Sequence, residues 1–202
     1  MLPALLLVLI GTACRLLSAA HPVLANFSPL MAMAFCGAVY FRRGGLWFVP
    51  FVALSLSDVW LNHHYAAEGY GWTLGAALVR TGCFAAALGL GALVARHRTW
   101  ANLFSGALGG ALLFYLVTNT GAWWDDVFYA KTAAGWWQAM TVGHPEWAPT
   151  LYFFRNTLVS DLLFTGLFAL ARETTAQRRG EPSLLARRVA DASSLSQDST
   201  GA

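Results

Sequence analysis

Charge is what this chain has least of: only 11% of its 202 residues are Asp, Glu, Lys or Arg, and Lys131 is the sole lysine. Water-soluble domains carry about 25% charged residues, so an ordinary solvated surface is excluded, and 57% hydrophobic content points to an integral membrane protein. The apolar runs also lack the strict alternation of a membrane barrel, which leaves helices. Cys14, Cys36 and Cys83 show neither metal-site nor disulfide spacing and read as packing residues. HExxH, GxSxG and Walker A patterns are absent, so no recognised catalytic motif or ATP-binding module is present and no cofactor is expected. With its one lysine outside the apolar runs, the chain cannot hold retinal as a helix-borne Schiff base. The net charge of +3 is scattered over loops and a tail, which fits membrane topology and gives no footprint for nucleic acid.

What is there is a series of apolar runs at 2–20, 29–40, 46–60, 72–94, 103–117 and 148–170. They predict an all-α integral membrane domain over 1–171 with about six transmembrane helices. Residues 172–202 follow as a polar, disordered cytoplasmic tail. The second and third runs are short for a span of about 20 residues, with Pro22, Pro29 and Pro50 as breakers and Gly44-Gly45 as a tight turn. Arg42, Arg43, Arg96, Arg98, Arg172, Arg178, Arg179, Arg187 and Arg188 all fall on one side of this topology. That side is therefore read as cytoplasmic, with both termini inside and the bacterial inner membrane as the location. Ser18-Ala19-Ala20 also resembles a signal-cleavage site. No basic segment precedes it and Arg15 interrupts the run, so the first segment is read as a retained span.

Arg15, Asp58, Arg80, Arg155 and Asp161 lie inside these runs. An ionised side chain there costs at least about 2.5 kcal/mol on insertion scales, so it normally faces a partner or a polar cavity. The topology places four of them in the outer half with Asp161 near mid-membrane. Thr157, Asp161 and Thr165 share one helical face, as do Asp58 and Asn62, and Tyr115 and Asn119. Converging faces would line one outward-facing polar cavity. Pairing would leave one cation over for an anionic ligand, and the partner of Arg155 is expected on another helix. Most of the tryptophans, Trp60, Trp72, Trp123 and Trp124 among them, fall on the outer side as an interfacial belt, with aromatic walls for a heterocycle. A short helix over 130–140 is expected to lie across the outer surface like a lid. His21, His63 and His64, with His144, offer a rival metal site, although adjacent histidines are not a helical ligand pair. Small residues four apart, Ala34/Ala38, Ala85/Gly89 and Gly106/Gly110, make grooves for close helix approach.

Several blocks together carry a resemblance. They are Arg15, His21-Pro22, Asn26-Phe27-Ser28-Pro29 leading into Ala34-Phe35-Cys36-Gly37, Ser57-Asp58, Thr118-Asn119 with Trp123 and Tyr129, and Phe154-Arg155-Asn156-Thr157 with Asp161. Over residues 11–170 the chain resembles an uncharacterised bacterial family of six-helix transport proteins. That family is in turn similar to the substrate-binding S components of energy-coupling factor (ECF) vitamin transporters. The resemblance implies an S-component-like bundle that captures a micronutrient from outside and presents it to a transmembrane coupling protein with ATPases. S components carry their coupling alanines in the first helix, whereas Ala34 and Ala38 are in the second span here.

The expected function is a substrate-binding membrane subunit or small transporter for a vitamin-like or anionic heterocyclic molecule, in contact with membrane lipid. Its expected site is Asp58, Asn119, Arg155 and Asp161, then Arg15, Arg80, Asn26, Trp123 and Asn156, with Ala34 and Ala38 for partner docking. The alternatives are an intramembrane enzyme using Asp58 or Asp161 as acid or base on a lipid-linked substrate, and a structural assembly protein.

Overall fold

The computed structural model describes residues 2–40, 48–67 and 73–180. The Gly44-Gly45 turn with Arg42 and Arg43, Trp72, and the tail from 181 with Arg187 and Arg188 lie outside the described residues. Those described form helices α1 (Leu2–Ala20), α2 (Leu30–Tyr40), α3 (Phe48–Ala67), α4 (Leu74–Val94), α5 (Trp100–Asp125), α6 (Ala133–Thr141) and α7 (Thr150–Arg178), with a 3-10 turn at Pro22–Leu24 and no strand among them. By length and composition α4, α5 and α7 can each cross a membrane, while Leu5–Ala20 and α2 are shorter apolar helices. The chain is thus a helical membrane protein. Lipid is the natural neighbour of its exposed leucine and phenylalanine rows, such as Phe104, Leu108, Leu112 and Leu116 along α5.

The second apolar run does not face lipid at all. α2 is the axis of the bundle: α1, α3, α4, α5 and α7 all pack on it, and Leu30 through Val39 are buried. A helix apolar all round belongs inside, and its small residues let the neighbours come close. A Cβ added at Gly91 of α4 would fall 2.8 Å from the Ala38 Cβ and closer still to the Phe35 carbonyl. One added at Gly106 of α5 would fall 2.6 Å from the Phe35 ring. Gly110 also faces α2, whereas an added Cβ at Gly89 meets nothing within 4 Å. Of the small-residue grooves, Gly106/Gly110 and Ala34/Ala38 are therefore used inside the bundle, and Gly89 points outward.

Burying a helix start leaves backbone N–H groups that need acceptors. Asp161 of α7, fully buried, supplies one: its Oδ1 accepts from the Ala32 N–H at 2.9 Å. A carboxylate at a helix N-terminus also suits the macrodipole. Elsewhere the caps are local. Thr73, Thr99 and Thr132 accept from the amides of Ala76, Asn102 and Gly135 at the starts of α4, α5 and α6.

Three helices run past the apolar runs that marked them. α3 continues beyond Trp60 to Ala67, α5 beyond Val117 to Asp125, and α7 beyond Leu170 to Arg178. Falling hydropathy marks where a membrane ends, not where a helix does. For α5 the stop is chemical: Lys131 donates to the Trp123 carbonyl and, at 2.7 Å, to that of Asp126, meeting the negative end of the helix. The first residues assigned to the tail, 172–178, are helical.

Candidate functional site

The intramembrane charges gather into one cluster and two outliers. Arg15, 6% exposed, reaches from α1 to α3, donating to the Leu54 carbonyl at 3.1 Å, to Ser57 Oγ and to Asp58 Oδ1. Arg80 comes from α4 to the other oxygen, Nε to Asp58 Oδ2 at 3.1 Å, and its Nη2 donates to Asn62 Oδ1 at 3.5 Å. Asp58 and Asn62 do share a face, as their spacing indicated, and Arg80 is what that face meets. One carboxylate thus holds two guanidinium groups and ties α1, α3 and α4 together.

Arg155 is exposed, and its partners are on its own helix: Asn156 Oδ1 at 3.2 Å, and the Tyr152 ring with 4.4 Å between guanidinium and centroid. The expected partner on another helix is therefore corrected, because one-residue and three-residue neighbours lie within the reach of a long side chain. Among the described residues Asp161 has no arginine bonded to it, and it spends Oδ1 on α2.

A cavity of about 90 Å³ opens between α5, α7 and the 3-10 corner, at the end of the bundle that carries α6. Asn26, Tyr115, Thr118, Asn119, Thr150 and Thr157 supply polar groups, and Phe114, Phe153 and Phe154 supply ring faces. The expected residues Asn26 and Asn119 are here; Asp58, Arg155, Asp161, Arg15, Arg80, Trp123 and Asn156 are not among the lining residues. Phe114, Thr150 and Phe153 are the lining that sequence reasoning passed over, while Thr118 and Phe154 stood in the blocks that carry the resemblance but not among the expected site residues. The available signal was Thr150, Phe153/Phe154 and Thr157 at three- and four-residue steps on one face.

The wall formed by residues 23–26 is built by α7. Asn156 Nδ2 donates to the carbonyls of Ala25 at 2.9 Å and Val23 at 3.2 Å, Tyr152 donates to Val23 at 3.0 Å, and Thr157 Oγ1 donates to the Asn26 carbonyl at 3.0 Å. Asn26 sits at φ +60°, a left-handed conformation that asparagine tolerates better than most residues. The Asn-Phe-Ser-Pro and Arg-Asn-Thr blocks are therefore the two halves of one clamp. Asn156 is a positioning residue whose amide is spent on backbone.

The short helix that the long connection suggested is α6, shifted to Ala133–Thr141, and it packs on α5 and α7 at this end. Tyr115 donates its hydroxyl proton to the Met140 carbonyl, and Trp136 Nε1 donates to Thr120 Oγ1 at 3.1 Å. Trp123 closes the loop before α6 by donating to the Ala130 carbonyl at 2.8 Å, which accounts for it without a ligand. Tyr129 is buried edge-on to Phe128, and burial together with the Asp126 carboxylate raises its phenol above the ordinary value, keeping it protonated.

Among the described residues no three His, Cys, Asp or Glu side chains come together as a metal set. His64 stacks on Trp60 at 5.3 Å, and His144 lies against Phe128 and 3.8 Å from Glu146, so His21, His63 and His64 are not assembled into a site. Ala34 and Ala38 are 0% and 8% exposed beneath α4 and its neighbours, which removes them as a docking face: their groove is already filled by this chain.

No match is found among curated proteins or among solved structures. A family described as of unknown function, DUF6580, matches residues 1–184, and the chain belongs to that family.

Proposed function

We propose that this protein binds a small solute within the membrane, as a substrate-capturing subunit or small transporter for a micronutrient, at the cavity beneath α6. The carrying observation is that Asn26, Thr118/Asn119 and Thr157, from three separated segments, meet around a shared space flanked by phenylalanine rings. Such a mixture of a few polar groups with aromatic walls is the usual make-up of a small-molecule site. Among the described residues the lining holds no ionised side chain, which favours an uncharged, flat, polar solute over the anionic one suggested by counting charges.

The volume of about 90 Å³ is well below the roughly 300 Å³ at which pockets for drug-sized ligands begin. A vitamin-sized ligand would need this end of the bundle to open, and the Tyr115 and Trp136 hydrogen bonds that tie α6 to α5 are contacts that can be released. Arginine distribution supports an outward-facing α6 end in a bacterial inner membrane, with both termini cytoplasmic. The resemblance to S components supports hand-over to a coupling protein with ATPases, through a surface other than Ala34 and Ala38.

Native mass spectrometry of the gently purified protein tests the reading. A co-purified small molecule is expected with the wild type and lost with Asn119→Leu, which fills the cavity and gives up only a bond to the Tyr115 carbonyl of its own helix. An identical spectrum for both proteins, together with an identical thermal-shift response to a library of small polar metabolites, would sink it.

A further inference from the structure

α7 carries polar residues along its most buried face. Thr157, Asp161, Thr165 and Glu173 fall at four-residue steps, with Ala169 filling the remaining step, and their exposures are 7%, 0%, 0%, 7% and, for Ala169, 0%. Sixteen residues of helix rise about 24 Å, most of the roughly 30 Å hydrocarbon core. The row starts at the cavity, which Thr157 lines, and ends at the opposite end of the bundle, where Tyr40 has Glu173, Arg98 and Arg172 in its surroundings.

Buried polar groups normally have partners, and leaving one unmet costs roughly 1–3 kcal/mol. Here Asp161 Oδ2 and Tyr40 Oη are buried with no hydrogen-bond partner, Thr165 Oγ1 has only the weak Cys36 thiol beside it, and all three lie along the α2–α7 seam. α2 continues the row from its own side, with Cys36 and Tyr40 one turn apart, Cys36 facing Asp161 and Thr165. Capping α2, through the Ala32 amide with the Met31 amide also beside the carboxylate, does not explain the hydroxyls below it. A carboxyl in a line of hydroxyls at membrane depth is the arrangement of a proton relay.

We infer that the α2–α7 seam is a proton path from the cavity, through Asp161, Thr165 and Tyr40, to Glu173. Asp161 takes a proton from the cavity side. Each hydroxyl then accepts one proton while giving up its own, with water carrying it between them, and the Glu173 carboxyl passes one to the far side. At every hop one O–H bond forms as another breaks, and the transmembrane proton gradient is the only driving force required. The path stands without any solute, since protons alone move through it.

The test is proton flux in liposomes loaded with a pH-sensitive dye, with a potassium gradient and valinomycin setting the potential. Wild-type protein is expected to change internal pH faster than protein-free vesicles. Asp161→Asn, which keeps an oxygen for the Ala32 amide, and Thr165→Val, which keeps the side-chain shape and lies a turn away from that cap, are each expected to return the rate to the protein-free level. Either variant suffices if the other does not fold, with folding judged by elution and melting behaviour. Wild-type flux no faster than empty vesicles, or wild-type flux in the folded variants, overturns the inference. Neither result touches solute binding, which is measured without a gradient.

Discussion

Removing the Asp58 carboxylate separates the two roles that its arginines play. Arg15 holds one oxygen from a side chain 7% exposed, whereas Arg80 holds the other from one 24% exposed. Breaking a buried ion pair by deleting one member costs about 3–5 kcal/mol, because the remaining charge stays desolvated. Asp58 itself is 20% exposed, which admits some solvent relief and lowers the expected loss for Asp58→Ala to about 2–3 kcal/mol. Arg80→Ala removes a partly solvated partner and should cost only about 1 kcal/mol. Asp58→Asn keeps one acceptor oxygen and loses the charge, placing it between the two. The assay is reversible denaturant unfolding in detergent micelles, run as two double-mutant cycles, Arg15 with Asp58 and Arg80 with Asp58. The Arg15 cycle should give the larger coupling. Equal couplings, or an Asp58→Ala protein as stable as wild type, would refute the view that this carboxylate is committed to holding α1 against α3.

Gly91→Val should destabilise by about 1–3 kcal/mol through overpacking against α2, while Gly89→Val, two residues away and open, leaves the melting temperature unchanged. Asn156→Ala removes the bonds to Val23 and Ala25 and should cost about 1–3 kcal/mol, with faster amide exchange confined to residues 23–28. Tyr115→Phe frees the Met140 carbonyl at a cost of about 0.5–1.5 kcal/mol, and the α6 amides should exchange faster while those of α2 do not.

Much of the helical framework was legible from hydropathy, because α1, α4, α5 and α7 are each signalled by a long apolar run, and the length of the connection after α5 announced α6. The central position of α2 was not legible. Its brevity was visible, but what encloses it depends on Gly91 and Gly106 meeting Phe35 and Ala38 from helices far away in sequence. For the site, spacing correctly put Tyr115 with Asn119 and Thr157 with Asp161. Charge counting failed for Arg155 and Asp161 because it paired charges only with charges. Asp161 answers a backbone N–H, Asn156 answers two carbonyls, and Arg155 answers a ring, and none of these partners carries a charge that sequence can display.

The Asp161–Ala32 bond joins residues 129 positions apart, and that distance sets an order of events during biogenesis. When a ribosome has delivered α1 through α5, the nascent chain contains a central helix that is only partly enclosed and an Ala32 amide whose acceptor has not yet been made. Only the arrival of α7 closes the enclosure and supplies the carboxylate. Translation of the last long helix thus completes the enclosure of α2, and a message truncated before codon 161 encodes a chain whose Ala32 amide has lost its carboxylate.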